Sequence, residues 1–444
     1  MKNFIYDFFK INERQTNIKT ELAAGTTTFL TMSYIIFVEP AVLQAAGMNF
    51  GAVMTATCIG AAIICILMGL IANYPIAGAP LMGENFFFVF TIVIAMKFPW
   101  QAALAAVFIE GILFLLLTSL KLRELIIDSI PESLKQAMAV AIGLFIAFIG
   151  LKWSGIVVNN PATTVSIGDL KSPAVLLSII GLFITSAMVI KRVRGSFLWG
   201  ILITTVIGII MGIIKFQGVL SAPPSIAPVF LKFDFSFLKN FNFWLVVFIL
   251  LYMEIFDTIG TIIGVAQEAG FVKNNKIPGA SKILFVDALG TSLGALLGTS
   301  TISSYIESNS GVTQGARTGL ANIMTGFLFL LALLFYPLVK MIGGGFTLSE
   351  NNIIYPVIAP VLILVGFLML KNILKLDFSD LSESLPAYLT IIGVPLTYSI
   401  ADGIAFGIIS YPVIKVLTGK AKEVSILMYV LAVIFIIKYM FFHI

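Results

Sequence analysis

Histidine is nearly absent from this chain of 444 residues: the single copy, His443, is the penultimate residue. That scarcity argues against histidine metal sites and histidine general bases as the chemistry of the interior. Cysteine is almost as rare. Cys58 and Cys65 are seven apart in one apolar run, and on a helix that spacing is about 10 Å, too far for a disulfide. A disulfide scaffold and a cysteine-rich metal site are both excluded. Charge is the third shortage. Charged residues make up 11% and hydrophobic ones 59%, whereas soluble proteins carry about 25% charged residues. A water-exposed globular surface is therefore excluded for most of the chain. An all-α, polytopic membrane protein remains.

The formal net charge is +5. The basic residues stand in short clusters between apolar runs, the pattern that orients membrane proteins and not that of a nucleic-acid partner. Runs long enough for transmembrane helices fall near 22–44, 52–72, 79–96, 99–120, 133–151, 173–190, 196–214 and 242–266, then 282–298, 302–316, 318–341, 353–370, 386–399 and 401–418. A last run, 424–442, is either a fifteenth span or a helix lying at the interface. Lys2, Lys10, Arg14 and Lys19 precede the first run. Further clusters follow the fourth (Lys121, Arg123), sixth (Lys191, Arg192, Arg194), eighth (Lys273, Lys276), twelfth (Lys371, Lys375) and fourteenth (Lys415, Lys420, Lys422). All lie on one side, which predicts a multi-pass protein of the cell membrane with a cytoplasmic N-terminus. Residues 1–20 lack the apolar stretch of a signal peptide, so the first run is expected to direct insertion. The polar-leaning connection 215–240 divides the chain into two halves of seven runs and hints at duplication.

The third run of each half is unlike its neighbours. One opens Gly78-Ala79-Pro80-Leu81-Met82-Gly83-Glu84-Asn85-Phe86, the other Gly298-Thr299-Ser300-Thr301-Ile302-Ser303-Ser304-Tyr305-Ile306-Glu307-Ser308-Asn309. Both mix glycine, proline or hydroxyl residues with a carboxylate and a carboxamide. Irregular backbone at membrane depth must be satisfied by protein or line a wet cavity, and exposed half-helix N-termini offer donors to a ligand. A single such segment reads as a kink repaired by its neighbours. A matched pair favours a transporter site at the membrane midplane.

Ionisable groups inside a bilayer are costly and count as functional candidates. Spacings of three and four put Glu254, Asp257 and Thr261 on one stripe of the eighth run, with Gly260 and Gly264 on a nearby stripe that admits another helix or a ligand. Two carboxyls a turn apart at low dielectric are not expected both to ionise, which suits proton-coupled transport; a structural polar network is the alternative. Glu39, Glu110, Asp287 and Asp402 also look buried, Asp287 and Asp402 near run ends where they reach the interface. Arg317 reads as an anchor. Gly290, Gly294 and Gly298 read as close helix packing. Phe86, beside Asn85, is a candidate to stack on a flat ligand.

Five blocks carry a resemblance. They are the run Thr26-Thr27-Thr28-Phe29-Leu30-Thr31-Met32-Ser33-Tyr34-Ile35-Ile36-Phe37-Val38, Asn159-Asn160-Pro161-Ala162-Thr163, Phe256-Asp257-Thr258-Ile259-Gly260-Thr261, Tyr305-Ile306-Glu307-Ser308 and Ile409-Ser410-Tyr411-Pro412. With them the chain resembles, along nearly its whole length, AzgA-like purine permeases of the nucleobase–cation symporter-2 family. The resemblance implies fourteen helices in two inverted seven-helix repeats, with short extended stretches in helices 3 and 10. A core domain would comprise 21–125 (helices 1–4) and 240–342 (helices 8–11). A gate domain would comprise 126–239 (helices 5–7) and 343–444 (helices 12–14 with the terminal helix). By position, Asp257 matches the family's helix-8 acid, Thr261 a side chain one turn on that faces the base, Glu307 the helix-10 acid and Asn85 the helix-3 carboxamide.

The sequence departs from the family at Glu39, Glu84 and Glu110, usually uncharged, and at Glu254, usually Asp. The resulting expectation is a secondary active transporter that imports a purine nucleobase, hypoxanthine or guanine before adenine, with a proton. Asn85, Asp257, Thr261 and Glu307 would bind the base, with Glu84, Phe86, Tyr305 and Ser308 beside them. Glu84 would favour a base rich in N–H donors, such as guanine. Glu254, Asp257 and Glu307 are the candidate proton carriers. No cofactor or metal is expected, Na⁺ stays open as the coupling ion, and a homodimer is compatible with the resemblance. A uracil or xanthine carrier and a passive facilitator are the alternatives within transport. No nucleophile–base pair supports a membrane enzyme, and a purely structural bundle leaves the paired broken segments unexplained.

Overall fold

The computed structural model describes residues 2–120, 131–272, 277–349 and 352–441. Lys121, Arg123, Lys273, Lys276 and His443 lie outside them. All fifteen apolar runs contain helix. We number them α1 (Ile18–Gln44, in two pieces that break at Ser33 and Tyr34), α2 (Phe50–Ala72), α3 (Met82–Ala95), α4 (Trp100–Ser119), α5 (Glu132–Trp153), α6 (Pro173–Ile190), α7 (Ser196–Ile210) and α8 (Phe241–Glu268). Then come α9 (Ala280–Leu297), α10 (306–313), α11 (Leu320–Gly343), α12 (Ala359–Leu370), α13 (Leu381–Thr397), α14 (Ile400–Leu417) and α15 (Ile426–Phe441). Among the described residues, nine helices are long and apolar enough to cross a membrane.

Local chemistry sets the ends. Asn17, Asn49 and Asn240 cap α1, α2 and α8, their side chains accepting from Thr20, Ala52 and Asn242 N–H groups. Asp380 caps α13 through Ser382 N–H, which starts that helix five residues before the expected 386. Conversely α12 starts at Ala359, later than the expected 353, because 352–354 is drawn into a hairpin. That hairpin pairs β5 (Phe346–Ser349) with β6 (Asn352–Ile354). A second hairpin, β2 (Val157–Asn160) with β3 (Thr164–Ile167), follows α5. The two neighbourhoods are tied by Tyr355 N–H donating to Trp153 carbonyl at 2.7 Å, with the two rings 4.3 Å apart.

Helix packing falls into two groups. In one, α11 packs on α1 and α2, and α4 packs on α8 and α9; in the other, α13 packs on α14 and α5, and α6 packs on α7 and α12. Exchanging the halves of the chain, so that helix n becomes helix n + 7 or n − 7, maps each of these pairings onto another. α2 with α9 and α5 with α12 map onto themselves. This is the packing of two inverted seven-helix repeats. The connection 215–240 is a strap more than a free linker: Thr55 Oγ1 donates to Pro224 carbonyl at 2.9 Å, Ser221 N–H to Leu334 carbonyl and Leu231 N–H to Leu296 carbonyl. Outside the bundle the surface is apolar, as lipid requires, with Ile190, Ile210, Leu396 and Leu417 all exposed.

Candidate functional site

The two interrupted segments meet. β1 (Gly78–Pro80) runs antiparallel to β4 (Ile302–Ser304), with Gly78 opposite Ser304 and Pro80 opposite Ile302. The pairing continues beyond both strands: Leu81 N–H donates to Thr301 carbonyl at 3.0 Å, and Tyr305 N–H to Ala77 carbonyl at 2.9 Å. The hydrogen bonds that a helix would have supplied are thus met by a two-stranded ribbon in the middle of the protein. Half-helices α3 and α10 start where the strands end. Small residues make room for the ribbon: a Cβ on Gly294 would lie 2.6 Å from Ser300 carbonyl oxygen, and one on Gly290 would lie 2.9 Å from that of Ile302. The glycine stripe of α9 therefore seats a strand as well as a helix: at Gly290 the added Cβ would also stand 2.7 Å from Ile64 Cδ1 of α2, the close helix packing read from the spacing.

Acids clamp the hydroxyl-rich break from three helices. Asp287 of α9 accepts from Thr258 Oγ1 (2.6 Å), Ser303 Oγ (2.8 Å), Ser304 N–H (2.7 Å) and Ser304 Oγ (2.6 Å). Glu39 of α1 accepts from Thr299 Oγ1 (2.9 Å) and Ser300 Oγ (3.1 Å). Glu110 of α4 accepts from Thr301 Oγ1 at 3.2 Å. Asp287 does not reach the interface as expected, because β4 lies against the middle of the bundle; it is fully buried. Asp402, the other acid expected at an interface, pairs with Lys438 of α15 at 3.1 Å and accepts from Tyr439 OH at 2.5 Å. Arg317 is an anchor, its guanidinium donating to the Val312 carbonyl in the last turn of α10 and to the Ala316 carbonyl just beyond it.

The stripe read on α8 divides. Glu254 turns into the protein, where Thr291 Oγ1 donates to it, and Thr261 is also buried. Asp257 is exposed, as is Gly260 one turn on, where a Cβ would meet nothing within 4 Å. At 100° per residue the three fall within about 60° of one face; β4 packs on α8 through Thr258, whose Oγ1 lies 2.7 Å from Ser303 Oγ, and Asp257 is left at the edge of the covered side. Glu307, at the start of α10, is half-buried; Tyr34 OH donates to it at 2.8 Å. It borders a cavity of about 530 Å³ lined also by Thr27, Thr31, Ser310, Arg192 and Arg194. Asp257 and Glu307 lie within electrostatic reach of each other.

The remaining candidates are enclosed. Asn85 is fully buried; its Oδ1 accepts from Ser300 Oγ and its Nδ2 has no partner among the described residues. Glu84 is 3% exposed. Phe86 faces aromatic rings, not open space: Phe90 stacks on it at 5.6 Å and Phe145 meets it edge-on at 6.4 Å. Tyr305 OH donates to Pro80 carbonyl, and Ser308 Oγ accepts from Ala77 N–H at 3.0 Å, so both lock the ribbon. Among the described residues no group of three or more His, Cys, Asp or Glu is arranged to hold a metal ion.

A sequence model described as a permease family matches residues 19–409. The guanine/hypoxanthine permease PbuG of Bacillus subtilis (strain 168) is 44% identical over 98% of this chain and 99% of its own length. The chain belongs to the nucleobase–cation symporter-2 permease family. The adenine permease AdeP of Escherichia coli (strain K12) is 42% identical over 98% of the permease and 95% of its own length. Among solved structures, the transmembrane domain of the cyanobacterial bicarbonate transporter BicA superposes with a TM-score of 0.62. It is 18% identical and covers 87% of the permease and 97% of its own chain. Murine Slc26a9 in the inward-facing state gives 0.61 at 11% identity, over 92% of the permease and 71% of that chain. These two likenesses speak to the fold.

Sequence reasoning missed Tyr34 and the central place of Asp287. The second had a signal. Six residues from Thr299 to Ser304 include five hydroxyls, and a buried hydroxyl ladder calls for acceptors from neighbouring helices.

Proposed function

We propose that the permease imports a purine nucleobase, guanine or hypoxanthine before adenine, together with a proton and by alternating access. The observation that carries this reading is the contrast among its acids. Asp257 is exposed and Glu307 half-buried, one from each half and beside the ribbon, while Glu39, Glu84, Glu110, Glu254 and Asp287 are enclosed. Free carboxylates accept N–H bonds, and guanine presents adjacent N–H donors on one edge where adenine has an unprotonated ring nitrogen. The relatives named above as guanine/hypoxanthine and adenine permeases support purines over uracil.

In this reading Asn85 and Thr261 back the two acids, α1–α4 with α8–α11 form the core, and α5–α7 with α12–α14 form the gate. The cavity at Glu307 lies on the side of Arg192 and Arg194; with basic residues on the cytoplasmic side, the site faces inward. Core and gate then slide past one another to expose it outward.

Binding of a purine and pyrimidine panel to purified protein at two pH values, with uptake into liposomes carrying an imposed pH gradient, tests the proposal. Tight binding of guanine and hypoxanthine and their accumulation against a gradient, abolished by a protonophore, is expected. Preference for uracil or xanthine removes the substrate assignment. Uptake indifferent to the protonophore leaves a passive facilitator.

A further inference from the structure

Resting on the proton-symport reading above, we propose that Glu110 and Glu254 form the proton-carrying site, a carboxyl pair that shares a proton and is separate from the acids holding the base. Both project from the middle of long helices, Glu110 from α4 and Glu254 from α8, and neither has exposed surface. α4 packs directly on α8 and makes the two carboxyls neighbours. Each has one oxygen engaged by a threonine: Thr301 Oγ1 donates to Glu110 Oε2, and Thr291 Oγ1 donates to Glu254 Oε1. The other oxygens, Glu110 Oε1 and Glu254 Oε2, have no donor among the described residues. Two ionised carboxylates can only accept. A proton held between them supplies the donor that both lack, and it removes a like-charge contact at low dielectric.

The surroundings leave protons as the counter-charge. Asp287 of α9 acts on Glu254, Glu84 of α3 acts on Glu110, and Thr291 and Thr301 complete the enclosure. The groups that act most strongly on either carboxyl are acids and hydroxyls, with no Lys or Arg among them. A row of carboxyls leads inward from an exposed one. Asp257 is exposed, and Glu84 lies within electrostatic reach of Asp257 on one side and of Glu110 on the other. The pair is also fixed to both elements that carry the base-binding acids. Glu254 is one helical turn from Asp257, and Thr301 leads through β4 to Glu307. Loading or releasing a proton changes the acceptor strength seen by Thr291 and Thr301, and so the seating of the ribbon beneath the base.

The alternative is a pair that never releases its proton and only supports the fold. Glu110→Gln separates the two, since an amide imitates a protonated carboxyl but holds no exchangeable charge. In liposomes, the variant is expected to bind guanine within about twofold of the wild type and to sustain base-for-base exchange. Proton entry accompanying guanine, read with a trapped pH dye, should fall at least tenfold, and accumulation should collapse to equilibration. Glu254→Gln should behave alike and decides the matter if Glu110→Gln is not recovered folded. Either variant moving protons with guanine at the wild-type ratio overturns the pair. Failure of both to fold also counts against it, because an amide fits where a protonated carboxyl does. Wild-type protein that takes up no nucleobase overturns the underlying reading before any variant is compared.

Discussion

The two broken helices solve one problem with different materials. The first break, Gly78-Ala79-Pro80, contributes no side-chain hydroxyl, and its backbone and the chain leading into it are held by groups that come to them. Asn322 Nδ2 donates to the Tyr74 and Ile76 carbonyls at 2.9 and 2.7 Å, and Tyr305 OH donates to Pro80 carbonyl. The second break brings its own donors, and the acids Glu39, Glu110 and Asp287 converge on them from α1, α4 and α9. A carboxylate accepting several short bonds is a far stronger clamp than amide-to-carbonyl bonds. The second break is thus the fixed half of the ribbon, and it presents Glu307 to the cavity on a rigid mount. Preorganisation of that kind is what discrimination between similar bases needs.

The comparison breaks most visibly at the site itself. Glu307→Ala removes a carboxylate that borders the cavity and Asp257→Ala an exposed one, and neither disturbs a clamp. Each should reduce uptake about 100-fold or more, in line with about 3 kcal/mol for a hydrogen bond to a charged group, while the protein inserts and purifies normally. Radiolabelled hypoxanthine uptake scaled to membrane protein checks this, and normal transport by either variant would falsify the assignment. Next in size are the clamps. Asp287→Ala strands the donors of Thr258, Ser303 and Ser304 in a buried site, a cost of about 3 kcal/mol. Asn322→Ala, its counterpart at the first break, frees only two carbonyls and should cost about 1–2 kcal/mol. Thermal unfolding in detergent orders the two, and equal shifts would show that the breaks are equally fixed.

Most of this architecture was legible in the sequence for a physical reason. A bilayer demands long apolar helices, so fifteen runs gave fifteen helices, and it penalises broken ones, so Gly78-Ala79-Pro80 and the Thr299–Ser304 ladder stood out. Periodicity failed where tertiary packing overrides it. Glu254 and Asp257 share a stripe on paper, yet β4 packs beside α8 and sends them to opposite environments. Phe86 looked available to a ligand, and whether a ring faces a base or other rings depends on α5, remote in sequence. Asp287 was misplaced for a related reason. Position along a run gives depth only if the helix is upright, and nothing local announces that a strand from sixteen residues downstream will return to it.

Glycine sharpens the contrast at the smallest scale. Gly294 and Gly260 both lie inside long helices of the same group, so helix propensity alone predicts that alanine stabilises each by up to about 1 kcal/mol. At Gly294 the new Cβ would stand 2.6 Å from Ser300 carbonyl oxygen and 2.8 Å from Ile302 Cγ1. Backbone of the clamped strand cannot yield there, and overpacking should cost about 1–3 kcal/mol. At Gly260 no atom lies within 4 Å of the added methyl, so Gly260→Ala should be at least as stable as the wild type. It faces the same open space as Asp257, however, and a methyl there takes volume from whatever docks against that acid. The expected signature is a variant with unchanged or higher melting temperature whose KM for hypoxanthine rises a few-fold while maximal uptake holds. A melting temperature that drops as far as that of Gly294→Ala would mean that this face of α8 is packed, not open, and that the base binds elsewhere.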